Sequence, residues 1–328
     1  MNLIIHHWDM DGIASAIILT KQKGGKFKYF TPAAGNYFLS NQEREIISSM
    51  NPEKIHLVDM SLPEDDLIFL NNLADFEVFD HHSGHHINGV KIHNPVLDGA
   101  KSIEYPSCTT VLKDYFNLEE DVLYWSGVWG DFGFKLKETD ALLISLKSFL
   151  TKNKINFEDF KLFVSIADSQ YKTGDKNKIY ELIEYLLLNP PLNILSEKKF
   201  SSILAELEKV KKEEVKRFKS YGKVEFLKLK TSYYVISDLC RMKYKETPDK
   251  YNIVLGERKD FYNFYLRTGI EDLSELIKKT KSNGFFGGGK KDVLGVVMPK
   301  KDFNRFIDFI SENFFKQRDI DIGKILAE

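Results

Sequence analysis

The chain has 328 residues, 43% of them hydrophobic and 29% charged, with a formal net charge of −1 at pH 7. This length allows two domains, each with its own core, and the composition is typical of a globular protein. No apolar run approaches the ~18 residues of a membrane span, and the overall charge lacks the strongly basic balance of a protein that binds long duplexes.

The two cysteines, Cys108 and Cys240, are far apart in the sequence and do not have the spacing of a metal site, so buried thiols are expected. They suggest a reducing compartment, and the chain opens on an apolar segment rather than on a leader. We therefore expect a cytoplasmic protein.

The first predicted strand meets the first predicted helix through three potential metal ligands. Residues 3–5 are apolar, and His7, Asp9 and Asp11 follow at alternate positions before Gly12 and a segment with helical periodicity. Open α/β folds bind their ligands at this carboxyl edge of the sheet. One such motif alone is usually a solvated acidic loop, so the interpretation depends on whether the motif recurs.

Ligand-type side chains do recur after later apolar segments. Two further segments end in such residues and a third is followed by one more carboxylate: Asp59, Asp80, His81, His82 and Asp131. Carboxylates and imidazoles without cysteine suit Mn²⁺ or Mg²⁺ better than structural zinc. Since these ligands are too many for one ion, we predict a two-metal centre with ions ~3.5–4 Å apart, which suits phosphoryl displacement.

The N-terminal part alternates strands and helices, which predicts a parallel sheet covered by helices. Strands are expected at residues 3–7, 27–31, 55–59, 76–80 and 90–93, and helices at residues 12–23, 41–50, 63–73 and 107–116. From about residue 118 the sequence is helical throughout, and it ends in a Glu- and Lys-rich linker helix at residues 196–221.

The remaining sequence predicts a smaller α/β domain. Its strands are expected at residues 224–229, 233–236, 251–255 and 261–267, and its helices at residues 273–279 and about 302–315. The expected domains are thus residues 1–195 and 222–328, joined by the linker helix at residues 196–221.

The two parts differ in charge. Residues 1–150 hold 12 Lys and Arg against 21 Asp and Glu, whereas the rest holds 35 against 27. An acidic part suits bound cations and a basic part suits a polyanionic substrate, although solvated helix faces explain most of the lysines.

A glycine-rich segment lies in the second domain, downstream of Arg267. It reads GFFGGGKK at residues 284–291, where three glycines let backbone amides approach an anion and Lys290 adds charge. It matches neither the Walker nor the dinucleotide-binding pattern, which disfavours ATP or NAD, and the structural alternative is a flexible loop. Phe285 or Phe286 could stack on a base.

These motifs together resemble the DHH phosphoesterase superfamily over nearly the whole chain. The residues that carry the resemblance are the His7-x-Asp9-x-Asp11 motif, Asp59, the Asp80-His81-His82 motif, Gly130-Asp131, and Arg267 with Gly287, Gly288 and Gly289. The resemblance implies a parallel-sheet DHH domain, a DHH-associated C-terminal domain, and an active site in the cleft between them. NanoRNase/pAp phosphatases, RecJ-type exonucleases and cyclic-di-AMP phosphodiesterases belong to this group.

The resemblance also implies roles for these residues. His7 and Asp9 would bind one Mn²⁺, a second would be bound by Asp11, His81 and Asp131, and Asp59 would bridge the two; Mg²⁺ or Co²⁺ could substitute. His82 would face the scissile phosphate, with Asp80 supporting the histidines. Arg267, Gly287, Gly288, Gly289 and Lys290 would hold a terminal phosphate or nucleotide. Lys290 stands where the family usually has His, which leaves the substrate class open.

The implied function is an exonuclease-like Mn²⁺-dependent phosphodiesterase, which hydrolyses short RNA or DNA oligonucleotides (nanoRNA) to 5′-mononucleotides through a hydroxide activated by two metal ions. Alternatives within the family are hydrolysis of cyclic-di-AMP or pApA and removal of the 3′-phosphate of pAp. A catalytically inactive nucleotide-binding module is disfavoured because every motif residue is present, and a manganese pyrophosphatase is disfavoured by the glycine segment. A homodimer is implied by resemblance only, and no membrane partner is expected.

Overall fold

The structure, a computed structural model, describes residues 1–133, 136, 137 and 140–327. The chain divides into two units, Met1–Leu204 and Ala205–Glu328. None of the described helices has both the length and the apolar character needed to cross a membrane.

The first unit is built on five parallel strands in the order β2-β1-β3-β4-β5. These strands are β1 (Asn2–His6), β2 (Phe27–Phe30), β3 (Lys54–Val58), β4 (Asp75–Phe79) and β5 (Lys91–His93). All five strands predicted from the sequence are present, each within one residue of its expected bounds. The chain passes from β1 to β2 on one side and returns to β3 on the other, and open α/β sheets bind ligands where the strand order reverses in this way.

The helices of this unit cover both faces of the sheet, as a parallel sheet requires. They are α1 (Met10–Lys23), α2 (Asn41–Ser49), α3 (Glu64–Leu73), α4 (Cys108–Phe116), α5 (Val122–Phe132), α6 (Ala141–Lys152), α7 (Phe157–Lys172) and α8 (Lys176–Leu188), and a ninth helix, α9 (Lys198–Glu214), begins in this unit and ends in the second. The first ten residues of α1 are all buried, because α4, α5, α7 and α8 pack around it. A helix enclosed in this way brings its N-terminal turn into the interior of the unit.

The prediction of a linker helix at residues 196–221 is wrong at its C-terminal end. Helix α9 ends at Glu214, and the division between the two units falls inside it. The strand β6 (Lys219–Tyr221) occupies the end of the predicted helix. It pairs with the next strand so that Tyr221 lies opposite Val224, and this hairpin overrides the helical propensity of the charged residues before it.

The second unit contains a six-stranded mixed sheet in the order β10-β11-β9-β8-β7-β6. The remaining strands are β7 (Val224–Leu229), β8 (Tyr251–Glu257), β9 (Phe261–Arg267), β10 (Phe286–Lys290) and β11 (Val293–Pro299), and only β7 and β8 pair in parallel. The helices are α10 (Ile236–Glu246), α11 (Ser274–Ser282), α12 (Phe303–Ile310) and α13 (Ile322–Ala327). One face of the sheet forms a core that includes Phe264, Leu294 and Phe306.

Two local predictions for this unit are wrong. Residues 233–235 form no strand, and α10 begins at Ile236 instead. Parallel neighbours such as β7 and β8 need a crossover connection, and α10 supplies it. The glycine segment is not a loop but the edge strand β10, because pairing along its whole length with β11 overrides the low strand propensity of glycine.

Candidate metal centre

Three of the predicted site residues directly follow neighbouring strands of the first sheet, at the same height along the strands. The last residues of β1, β3 and β4 are aligned in a row across the sheet, so His7, Asp59 and Asp80 follow side by side. Backbone hydrogen bonds extend the pairing by one residue: the Asp59 amide donates to the Phe79 carbonyl at 2.9 Å, and the His7 amide donates to the Val58 carbonyl at 3.3 Å. The regular register of the parallel strands therefore brings together residues that are far apart in sequence.

Asp59 combines burial with an unusual backbone conformation. Its φ is 60° although it is not a glycine, and it is only 2% exposed. A non-glycine residue in this region costs about 1–3 kcal/mol and persists where the surrounding structure enforces it, often at a functional site.

The first group of candidate ligands is His7, Asp9 and Asp59, whose nearest ligand atoms all lie within 4.8 Å of one another. The Nδ1 atom of His7 is 2.7 Å from Oδ1 of Asp9 and 3.7 Å from Oδ2 of Asp59. Asp9 is also the N-cap of α1, where its Oδ1 accepts the Gly12 amide at 3.3 Å. This capping interaction holds the Asp9 carboxylate at the strand-to-helix turn.

The second group is Asp11, His81 and Asp131. The Nε2 atom of His81 lies 3.8 Å from Oδ2 of Asp11 and 3.5 Å from Oδ2 of Asp131. The same nitrogen is 3.3 Å from Oδ1 of Asp59. Asp59 thus directs one carboxylate oxygen toward each group, which is the geometry that a carboxylate shared by two ions requires.

Asp131 comes from a helix and not from a strand end. It lies near the C-terminal end of α5, which packs against α1. The structure therefore brings the six residues that the sequence predicts as metal ligands into two adjoining groups.

Asp11 has support that sequence reasoning missed. Its Oδ2 accepts the Cys108 amide at 2.7 Å and its Oδ1 accepts the Thr109 amide at 3.1 Å. These are the first amides of α4, where the helix dipole favours a negative charge. A Cβ built on Gly127 of α5 would lie 2.4 Å from Oδ1 of Asp11, so this glycine leaves the space that the carboxylate fills. In the sequence, Ser107 indicates where α4 begins, but no sequence pattern indicates that the first amides of this helix bind Asp11.

His82 is held beside these groups by two contacts. Its Nδ1 atom is 2.7 Å from Oδ1 of Asp80, and its carbonyl accepts the Asn94 side-chain amide at 2.9 Å. A ring nitrogen of His82 lies within 4.8 Å of ligand atoms of Asp59 and His81. Asp80 hydrogen-bonds the ring of His82, whereas Nδ1 of His81 is 3.3 Å from the Tyr105 carbonyl.

Crowding of buried carboxylates perturbs their protonation. Burial, reinforced by the charges of Asp131 and Asp9, raises the pKa of Asp11 to about 6. Burial and the charge of Asp11 raise the pKa of Asp59 well above its usual value, and burial together with Asp9 also raises the pKa of Asp131. A bound cation would favour the charged form of each group.

For His82, the effect of a neighbouring carboxylate on the pKa outweighs the effect of burial. Burial alone would lower the pKa of His82, but the charge and hydrogen bond of Asp80 raise it to about 9. The same pairing keeps the pKa of Asp80 below its usual value despite burial.

No protein-family model and no curated protein matches the chain in sequence. Among solved structures, the chain is similar to the exonuclease RecJ bound to manganese, with a TM-score of 0.62 and 14% identity over 93% of this chain and 87% of that chain. It is also similar to the DHH domain of a member of the S1p family of ribosomal proteins, with a TM-score of 0.67 and 16% identity over 96% and 86% of the two chains. The chain has the DHH fold.

A third similar structure is the pGpG-specific phosphodiesterase PggH from Vibrio cholerae. Its TM-score is 0.51 and its identity 15%, over 95% of this chain and 98% of that chain. Together these structures confirm the fold class expected from the sequence.

The metal-ligand candidates of this DHH fold fit a metal ion chemically. Among the residues that the structure describes, Oδ1 of Asp59 and Nε2 of His81 face each other at 3.3 Å and are buried without a hydrogen-bond partner. Leaving buried polar atoms unsatisfied is costly, and an ion placed beside both atoms would satisfy them. The donors are oxygen and imidazole nitrogen, which suit Mn²⁺ or Mg²⁺.

The predicted substrate-binding residues lie in the second unit. Arg267 ends β9 and is only 8% exposed, with its Cζ 5.8 Å from the Tyr244 ring centroid and its Nε 3.9 Å from Oδ2 of Asp292. Gly287, Gly288, Gly289 and Lys290 all belong to β10. Arg267 is two strands away from them, since β11 pairs with both β9 and β10.

Proposed function

We propose that this protein is a metal-dependent phosphoesterase that hydrolyses phosphodiester bonds of short nucleotides. The observation that carries the proposal is the position of Asp59, with one oxygen toward His7 and the other toward His81. A buried carboxylate between two ligand groups is typical of two-metal hydrolytic centres. Two proteins that share the fold are named as an exonuclease and a phosphodiesterase.

In this proposal His7 and Asp9 would hold one Mn²⁺, and Asp11, His81 and Asp131 would hold a second, with Asp59 contributing to both sites. Mg²⁺ or Co²⁺ could replace Mn²⁺. When bound, such a pair lowers the pKa of a coordinated water and stabilises the charge that develops on the phosphoryl oxygens.

His82 and Asp80 provide the remaining protein groups at this centre. The 2.7 Å contact between Nδ1 of His82 and Oδ1 of Asp80 determines which ring nitrogen is left for the substrate. We infer that His82 donates a hydrogen bond to the scissile phosphate or a proton to the leaving oxygen. Asp80 is a positioning residue, since it acts through His82.

The second unit would bind the substrate through Arg267 and β10. The Nε atom of Arg267 is buried and has no hydrogen-bond partner in the described parts of the chain. The Asp292 carboxylate, at 3.9 Å, is too far from this nitrogen to accept a hydrogen bond, whereas a phosphate could accept the hydrogen bonds of the guanidinium in bidentate geometry. Gly287, Gly288, Gly289 and Lys290 would complete this subsite.

The substrates we propose are short oligonucleotides, cleaved to 5′-mononucleotides. Linear dinucleotides deserve a direct test because the pGpG-specific phosphodiesterase matches almost the full length of both chains. Cyclic-di-AMP, pApA and pAp are the alternatives.

The experiment compares turnover of pGpG, an RNA dinucleotide, an RNA 24-mer, cyclic-di-AMP and pAp in the presence of Mn²⁺. Asp59→Asn should abolish turnover, whereas Asp98→Asn makes the same chemical change at an exposed side chain and should leave it intact. Preferential cleavage of a dinucleotide supports the proposal. A folded protein that binds Mn²⁺ but turns over none of these substrates would contradict it.

A further inference from the structure

A loop beside the metal centre carries an exposed aromatic side chain. Residues 31–40 connect β2 to α2 and contain a turn in which the Asn36 amide donates to the Ala33 carbonyl at 2.9 Å. Tyr37 follows this turn and is 55% exposed. Because β2 pairs in parallel with β1, the loop leaves the sheet at the same carboxyl edge as His7. An exposed aromatic at the edge where open α/β sheets bind their ligands is a candidate for contact with substrate.

The ring of Tyr37 is supported from one side by two other rings. It stacks on the candidate ligand His7, with the ring centroids 5.8 Å apart and the ring planes at 28°. Trp8 meets it edge-on at 5.3 Å and is itself only 5% exposed. These contacts hold the Tyr37 ring directly beside a metal ligand while more than half of the residue faces solvent. Such a ring can accept a flat partner by stacking at little cost in conformational entropy.

Two buried carboxylates hold the loop near both of its ends. Glu43 is 6% exposed and accepts the Ala33 amide at 2.9 Å, before Tyr37 in the chain. Asp66 is 2% exposed and accepts the Leu39 amide at 2.8 Å, after Tyr37. Both carboxylates are also paired with cations: Lys176 at 2.9 Å for Glu43 and Arg44 at 2.6 Å for Asp66. Hydrogen bonds to charged groups are strong, so this network fixes the segment that presents Tyr37.

We propose that Tyr37 stacks on the base of the nucleotide whose 5′-phosphate lies at the metal centre. His7 connects the two events, because the imidazole that would hold an ion is the ring on which Tyr37 lies. A phosphate bound to that ion brings its own ribose and base to the side of the centre where Tyr37 is exposed. Stacking accepts any base, so Tyr37 favours nucleotides over other phosphate esters without selecting a sequence.

The inference rests on the proposed function and narrows it, because it adds a second determinant for nucleotides. This determinant lies in the first unit and involves neither Arg267 nor β10 of the second unit. A different role for Tyr37, that of merely orienting the His7 ring, makes a different prediction. Loss of the ring would then weaken Mn²⁺ binding, and it would weaken binding of every phosphate ligand equally.

The test separates base stacking from orientation of the metal ligand. Binding of AMP and of ribose 5-phosphate, which lacks the base, is measured by titration calorimetry on the full chain with and without Mn²⁺. The part of the binding that depends on Mn²⁺ reports the metal centre. Loss of a base–aromatic stack weakens binding by about 5- to 150-fold. Tyr37→Ala should weaken Mn²⁺-dependent AMP binding by such a factor and leave the affinities for ribose 5-phosphate and Mn²⁺ unchanged, whereas Tyr37→Phe should bind AMP as the wild type does.

Tyr115→Ala is the matched control. Tyr115 is 43% exposed and its ring lies 4.6 Å from that of His93, so the same substitution removes a ring from a histidine that is not a candidate ligand. It should affect neither AMP nor ribose 5-phosphate. Unchanged AMP binding in Tyr37→Ala, an equal loss for both ligands, or no Mn²⁺-dependent AMP binding by the wild type would overturn the inference. Failure of the proposed function is a different result, since it would appear as absent turnover by the wild type and would leave these binding measurements readable.

Discussion

Gly127→Ala tests the packing of α5 against the metal centre. The added Cβ would lie 2.4 Å from Oδ1 of Asp11 and 2.4 Å from Oγ1 of Thr109. Neither the Asp11 carboxylate nor the Thr109 hydroxyl can move away without weakening its hydrogen bonds. Asp11 accepts the amides of Cys108 and Thr109, and the Thr109 hydroxyl donates to the Tyr124 carbonyl at 3.1 Å.

The expected magnitude follows from these contacts. Overpacking of a filled interior costs about 1–3 kcal/mol, and a weakened hydrogen bond to a charged group adds roughly 1.5–3 kcal/mol. The better helix propensity of alanine offsets at most about 1 kcal/mol. The net loss is therefore about 1.5–6 kcal/mol, and for a unit of this size, at about 2–4 °C per kcal/mol, Tm should fall by roughly 3–24 °C. Because Asp11 is displaced, Mn²⁺ affinity should fall by about 10- to 100-fold.

Calorimetric melting and titration with Mn²⁺ measure both effects. Gly323→Ala, where the added Cβ has only ordinary contacts, should melt and bind Mn²⁺ as the wild type does. If Gly127→Ala kept both wild-type Tm and wild-type Mn²⁺ affinity, the close approach of α5 to Asp11 would be refuted.

Three further changes probe other parts of the first unit. Glu77→Gln should lower the free energy of unfolding by about 3–5 kcal/mol at pH 7, because it breaks a buried cluster in which Glu77 lies 2.9 Å from Nζ of Lys23 and 2.8 Å from Nδ1 of His56. Despite burial, these partners hold the pKa of Glu77 well below its usual value, so the stabilisation by Glu77 is present above about pH 4.5 and is lost as the pH falls. In urea unfolding, the free energy of unfolding should therefore fall more steeply with decreasing pH for the wild type than for the variant. Equal slopes for the two proteins would contradict this prediction. Mn²⁺ at about 1,000 times its Kd should stabilise the wild type by about 4 kcal/mol, and Asp59→Asn should remove most of that gain in a thermal-shift assay, whereas an equal gain would argue against a shared carboxylate. Asp80→Asn should lower kcat by about 10- to 100-fold while the Mn²⁺-induced shift persists, and loss of that shift would make Asp80 part of the metal site itself.

The sequence by itself determined the parallel sheet and the candidate ligands at its carboxyl edge. Both are local features: a buried strand is a short apolar run, and the residue that follows the run is the one that leaves the sheet. His7, Asp59 and Asp80 could therefore be assigned to strand ends, and the aligned register of β1, β3 and β4 then made them neighbours.

Only the tertiary structure decided how these side chains are supported. The amides that hold Asp11 belong to Cys108 and Thr109, and the space for its carboxylate depends on Gly127, which no local pattern connects to Asp11. The glycine segment likewise became an edge strand because β11 supplied a partner along its whole length. Hydrogen-bond pairing and close packing depend on residues distant in the chain, and so local propensity could not predict them.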